Sequence, residues 1–243
     1  MSFTVYYVVG QPRTGSTFVG DRIARLQNVV NAGEVWQTFR SVGLVTQPGF
    51  DDSRAPWARR EVRAEKNREI KADPFWSEVL LRAEHLQCYS ALVQQASLDA
   101  QGLVDCSKTD IGIGYYLELG CEVVVVHSVR AFGSWAASMQ KHAFRHGLPQ
   151  QNSLRLLASY LRVNRAIRKL WMGQSYLAIA QEDLAKANTI LAGLPAPQGI
   201  EGRYRNAEMF GTPGFSGTFD PARATVRVTR ADRLFFRMIG IKR

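Results

Sequence analysis

Apolar positions along this chain follow two rhythms: short continuous runs, and runs that recur every three or four residues. The first run, Phe3 to Val9, is β-branched and aromatic and predicts a strand, closed by a Gly-containing turn. From about Thr17 to Leu26, the residues Phe18, Val19, Ile23 and Leu26 share one helical face. Val29 and Val30 start a short second strand that Asn31-Ala32-Gly33 closes. A polar, basic segment covers 51–72, and a helical pattern then runs from Pro74 through about Ala96. Gly102–Asp105 reads as a short strand, Ile111–Leu119 as a helix, and Glu122–Val129 as an apolar run suited to a central parallel strand. Helical spacing returns over 132–145, 151–171 and Asp183–Leu194, with a strand at Tyr176–Ala180 between the last two. Strands alternating with helices predict one α/β domain over residues 1–243, a three-layer fold whose central parallel sheet is covered on both faces. Beyond Pro195 the chain is rich in Gly and Pro up to an arginine-rich end.

Composition narrows the function classes. No run reaches the roughly 18 apolar residues of a membrane span, and Met1–Gly10 has neither the basic stretch nor the cleavage site of a signal peptide. Three widely spaced cysteines, Cys88, Cys106 and Cys121, suit neither a disulfide framework nor a metal cluster, which points to the reducing cytoplasm. A formal charge of +10 calls for an anionic partner: nucleic acid, acidic lipid or a multiply charged nucleotide. Between Arg54 and Lys71 the cations interleave with Glu61, Glu65 and Glu69 at helical spacing, the pattern of a solvated helix face. The last 23 residues instead carry seven Lys and Arg against one acid, Asp232. Their only aromatics, Phe235 and Phe236, sit side by side rather than interleaved, which disfavours a nucleic-acid stacking surface.

The chemistry concentrates in Gly10-Gln11-Pro12-Arg13-Thr14-Gly15-Ser16-Thr17, between the first strand and the first helix. Amides at a helix start face outward and the helix dipole favours an anion there. The glycine spacing is that of the phosphate-binding P-loop, with Ser16 in place of the usual lysine. Without that lysine, and with no strand-end Asp standing out for magnesium, a kinase or ATPase reading weakens. Arg13 brings a cation into the loop instead, suited to a phosphate and a neighbouring sulfuryl oxygen.

QPRTGST resembles the 5′-phosphosulfate loop of sulfotransferases that use 3′-phosphoadenosine 5′-phosphosulfate (PAPS), commonly P-[KR]-[ST]-G-[ST]-T. That family also has a strand ending in Arg with a Ser eight positions later, matched here by Arg130 and Ser138 after Glu122–Val129, although Arg-Ala-Phe-Gly replaces the frequent R-[DN]-P-R. Leu103–Lys108 resembles the V-D-x-S-K segment of bacterial members, and Gln181–Leu184 their Y-E-D-L segment with Gln181 for the tyrosine. The resemblance covers about residues 5–194. It implies a P-loop nucleotide-binding α/β fold, PAPS as sulfuryl donor with no metal required, and a small-molecule, glycan or lipid acceptor. It further implies that Arg13, Thr14, Gly15, Ser16 and Thr17 hold the 5′-phosphosulfate and that Arg130 and Ser138 hold the 3′-phosphate; Ser134 is a weaker partner for that phosphate. Segments 41–101 and 195–243 would build the acceptor site and cover the nucleotide.

In-line sulfuryl transfer asks for cations on the transferring oxygens and a base for the acceptor's proton. Arg13 and Lys108 suit the first task. For the base, Glu34 matches the G-E at which tyrosylprotein and several bacterial sulfotransferases place a glutamate, and Asp110 lies where the cytosolic branch has K-T-H. Alternatively, Glu34 caps a helix starting near Val35, and Asp110 orients Lys108 or its loop. Of the four histidines, His85, His127, His142 and His146, the residue His127 reads as a satisfied core histidine. Trp36, Trp57, Phe75 and Trp76 would line an acceptor pocket or pack in the core.

Overall fold

A computed structural model describes residues 2–46, 60–173, 175–198, 202–210, 229–239 and 241. Six strands among them form one sheet: β1 (Thr4–Gly10), β2 (Val30–Gly33), β3 (Gly102–Lys108), β4 (Glu122–Val129), β5 (Ser175–Ala180) and β6 (Arg205–Asn206), in the order β5-β4-β1-β3-β2-β6, with every pairing parallel. The helices are α1 (Ser16–Gln27), α2 (Val35–Val42), α3 (Arg60–Ala72), α4 (Pro74–Ala83), α5 (Cys88–Ala96), α6 (Ile111–Glu118), α7 (Phe132–Arg145), α8 (Ser153–Trp171), α9 (Ala187–Leu191) and α10 (Arg230–Met238).

Because successive strand residues face opposite sides, β3 shows that helices cover both faces of the sheet. A Cβ on Gly20 of α1 would lie 2.2 Å from the Cys106 Sγ and 3.3 Å from Val104, so α1 rests on the face that Val104 and Cys106 share. The residue between them, Asp105, points to the other face and accepts a hydrogen bond from the Tyr116 hydroxyl of α6. On that second face, His127 of β4 meets Asn164 of α8. Tyr6, Tyr7 and the Val-rich runs of β1 and β4 are fully buried, as a centrally placed parallel sheet requires. Strand order reverses direction around β1, whose neighbours are β3 and β4, and ligands of open α/β sheets bind at the carboxyl edge beside such a reversal.

Most expected elements form, several with different limits. β3 runs on past Asp105 to Lys108. The single helix expected over Pro74–Ala96 is two, α4 and α5. The chain leaves helical geometry at residues 84–87, and Val79 and Tyr89 on either side of the break are both buried. The helix expected over Asp183–Leu194 is a 3₁₀ turn, Gln181–Lys186, followed by the short α9. Trp36, Phe75 and Trp76 pack in the core, with the Trp76 indole donating to the Ala207 carbonyl at 2.6 Å, whereas Trp57 lies outside the described residues. The described part of the basic 54–71 stretch is the largely exposed α3. Much of the glycine-rich segment before the C-terminal arginines also lies outside the described residues. Cys88, Cys106 and Cys121 are all free thiols.

Candidate functional site

The loop from Gly10 to Thr17 joins β1 to α1 at the carboxyl edge. Four consecutive carbonyls in it each accept a side-chain hydrogen bond. The Thr14 hydroxyl reaches the Gln11 carbonyl at 2.9 Å, the Trp135 indole the Pro12 carbonyl at 3.0 Å, the Arg130 guanidinium the Arg13 carbonyl at 3.4 Å, and the Ser128 hydroxyl the Thr14 carbonyl at 2.9 Å. With its carbonyls held by β4 and α7, the loop is free to turn its amides toward the α1 N-terminus, the arrangement of an anion-binding nest. Gly10 is required, since a Cβ there would sit 2.3 Å from the Ser128 carbonyl oxygen. Gly15, at φ 88°, is the N-cap of α1. Thr14 spends its hydroxyl inside the loop, which leaves those of Ser16 and Thr17 nearest the helix start.

Arg13 and Lys108 are two of the three non-glycine residues with positive φ among the described residues, at 71° and 64°. Left-handed backbone costs an ordinary side chain about 1–2 kcal/mol and concentrates at functional sites. Arg13 is exposed at the loop's mouth. Lys108 owes its position to a bulge: Tyr7 pairs with Asp105, but Val9 pairs with Lys108, so β3 carries one extra residue at its end.

From there Lys108 forms an ion pair with Glu34, 74 positions away in sequence. Glu34 occupies the N-cap position of α2, but its side chain makes no capping bond. Other residues cap that helix: the Ser107 hydroxyl accepts the Trp36 amide at 2.8 Å, and Asp105 meets the Val35 amide. The Asp105 carboxylate also accepts from the Ser107 amide at 2.8 Å, the Ser107 hydroxyl, and Tyr116 at 3.0 Å. Burial pushes its pKa from 3.8 up to about 7, against the opposing pull of those donors. Thus Glu34 does not serve as the cap considered for it.

Arg130 leaves β4 half-buried. Burial lowers its pKa, Glu182 opposes that, and Arg13 adds to it. Beside it, the Ala131 amide donates to Glu182 and the Phe132 amide to Asp232, each at 2.9 Å, so two carboxylates from distant segments cap α7. Ser138 is half-buried on α7, one turn beyond Ser134, whose buried hydroxyl finds no partner among the described residues. Asp110 begins α6 without a side-chain capping bond, and among the described residues no hydrogen bond joins it to Lys108. His127 is a core residue: its ring nitrogens lie 2.7 Å from the Tyr176 hydroxyl and 2.8 Å from Asn164, and burial pushes its pKa down to about 4.

Glu208 is a member of this cluster that no sequence motif marked. It follows β6, where the Ala207 amide bonds the Asn31 carbonyl at 2.9 Å. Its side chain lies over Gly33, where a Cβ would come 2.6 Å from the Glu208 Cγ. Burial first, and the negative charge of Glu34 second, push the Glu208 pKa from 4.5 up to about 7, while Lys108 pulls it down. Two carboxyl groups and one ammonium therefore share the carboxyl edge of β2 and β3. In sequence the residue sits in a Gly- and Pro-rich stretch with no periodicity around it, and only sheet register brings it to the edge. The chain matches no protein-family model and no curated protein.

Proposed function

We propose that the chain is a P-loop sulfotransferase that moves a sulfuryl group from PAPS to a hydroxyl or amine of a small-molecule, glycan or lipid acceptor, as the resemblance of its first loop implies. The observation that carries this reading is the loop itself. Its four bonded carbonyls leave amides and the α1 dipole for an anion, and Arg13, Lys108 and Arg130 arrive at the same sheet edge from three different segments. The donor set fits a nucleotide with an anionic group at each end. Amides, Ser16 and Thr17 suit the 5′ end, and a forked guanidinium at Arg130 suits a terminal phosphate.

When bound, PAPS supplies an activated sulfuryl group on a phosphate leaving group. In the protein, the loop fixes the direction of transfer, and Arg13 at its mouth bears on the transferring oxygens. Lys108 places an ammonium where charge develops on the bridging oxygen. Glu34, beside it, takes the proton of the attacking hydroxyl. Neither the Lys108–Glu34 pairing nor the loop geometry requires a metal. Asp105, near the end of β3 where a kinase would present a magnesium carboxylate, is turned fully into the core.

Thermal stabilisation tests the reading without knowledge of the acceptor. Adenosine 3′,5′-bisphosphate at about 100 times its Kd should stabilise the protein by about 2.7 kcal/mol, well beyond AMP, ATP with magnesium, or an oligonucleotide at equal concentration. Equal effects of the bisphosphate and AMP would remove the 3′-phosphate site, and a larger effect of magnesium–ATP would move the chain to the phosphotransferases.

A further inference from the structure

The excess positive charge is not consumed by the nucleotide site. From Val123 to Gln181 the chain contains no Asp or Glu and eight Lys or Arg. Most of this stretch is α7 and α8. On α8 the exposed residues Arg155, Arg162, Arg165 and Lys169 fall within an arc of roughly 80° at 3.6 residues per turn. A second basic element, α10, packs against α8 through Phe235 on Tyr160, with ring centroids 4.9 Å apart, on the side of α8 away from its cations. The exposed residues of α10 include Arg230, Arg233 and Arg237. The sole acid of α10, Asp232, is buried, its carboxylate bonded to the Phe132 amide and to Thr229, and so it does not neutralise this surface. Among the described residues, no ion pair involves these seven outward cations.

Large apolar side chains stand among the cations. On α8 itself Leu154 is 74% exposed and Leu170 58%. A surface meant only for phosphates gains nothing from such residues, and a second copy of so cationic a face would be repelled. An anionic bilayer satisfies both components, because its headgroups attract Lys and Arg while the headgroup–acyl boundary accepts Leu.

We propose that the exposed face of α8 is a docking surface for an anionic lipid bilayer, on which the protein sits peripherally. No described helix is long and apolar enough to cross a membrane. The inference is independent of the sulfuryl-transfer reading and its test needs no nucleotide.

The full chain is sedimented with vesicles of phosphatidylcholine alone or phosphatidylcholine mixed with phosphatidylserine. Association should require phosphatidylserine and weaken as salt is raised. Each cation near such a surface is worth about a fivefold change in partition, so the combined variant Arg162→Glu, Arg165→Glu and Lys169→Glu should bind about 100-fold more weakly or worse. The charge-keeping Arg162→Lys with Arg165→Lys should bind like the parent, which guards against a folding artefact, and Leu154→Ser with Leu170→Ser should bind severalfold more weakly. No association, equal association with neutral vesicles, or binding of a single-stranded oligonucleotide in place of vesicles would each overturn the proposal.

Discussion

Replacing Asp105 by Asn separates the energetic consequences of the buried network under α2 from everything else that titrates. Asp105 is fully buried and its pKa is pushed from 3.8 up to about 7. A carboxyl whose pKa is higher folded than unfolded binds more protons in the folded state, so its contribution to stability is greatest at low pH and is lost as pH rises through about 7. At about 1.4 kcal/mol per pH unit, the full difference is about 4 kcal/mol, of which about 2.5 kcal/mol develops between about pH 8 and pH 5. His127 works against this in the parent. Its folded pKa of about 4 means that the unfolded chain takes up more protons as pH falls below about 6.5. Glu208 works with it. Both remain in Asp105→Asn, so the difference between the two proteins isolates Asp105. Asparagine keeps an acceptor for Ser107 or Tyr116 but cannot change charge. Relative to the parent, the variant should gain about 2–3 kcal/mol of stability between about pH 5 and pH 8, which for a chain of this size is a shift in the Tm difference of about 5–10 °C. Urea unfolding of both proteins at the two pH values measures it. A stability gap that stays the same at both would refute the argument that burial governs this carboxyl.

Glu34→Gln removes the ion pair to Lys108 but no helix cap, so it should lower stability by only about 1 kcal/mol and slow single-turnover transfer from labelled PAPS to a screened acceptor by about 10²–10⁴-fold; full activity would dismiss Glu34 as the base and promote Asp110 or Glu208. Arg130→Ala should weaken binding of adenosine 3′,5′-bisphosphate by about 2–5 kcal/mol in calorimetry while leaving AMP nearly unaffected, and equal losses for both ligands would contradict a 3′-phosphate role. Gly20→Ala should cost about 1–3 kcal/mol by driving a methyl group against Cys106, and adding Cys106→Ala should recover part of that loss in a denaturant double-mutant cycle. Strict additivity there would mean that α1 does not rest on β3 as described.

Much of the site was readable because its signals are local. The loop 10–17 stands out through glycine spacing between a strand-like and a helix-like run. It forms where expected because β1 and α1 are each fixed by their own pattern of buried residues. Arg130 was placed by the apolar run before it, and the strand does end at Val129. What was not readable was which groups face one another. On paper Asp110, two positions along, was the residue considered beside Lys108 rather than Glu34, and the loop gave no hint that its carbonyls would be bonded by Ser128, Trp135 and Arg130.

The amino-acid sequence by itself determined the α/β class, the parallel strands and the strand–loop–helix that opens the sheet edge. All of these follow from periodicity, turn residues and the burial demands of short stretches of chain. Only the tertiary structure decided the pairing of Lys108 with Glu34, the capping of α7 by Glu182 and Asp232, and the entry of Glu208 into the cluster. These depend on strand order, and on single-residue irregularities where β3 pairs with β1 and β2. An extra residue in a strand re-aims every side chain beyond it, and no local pattern records which distant side chain will then be opposite.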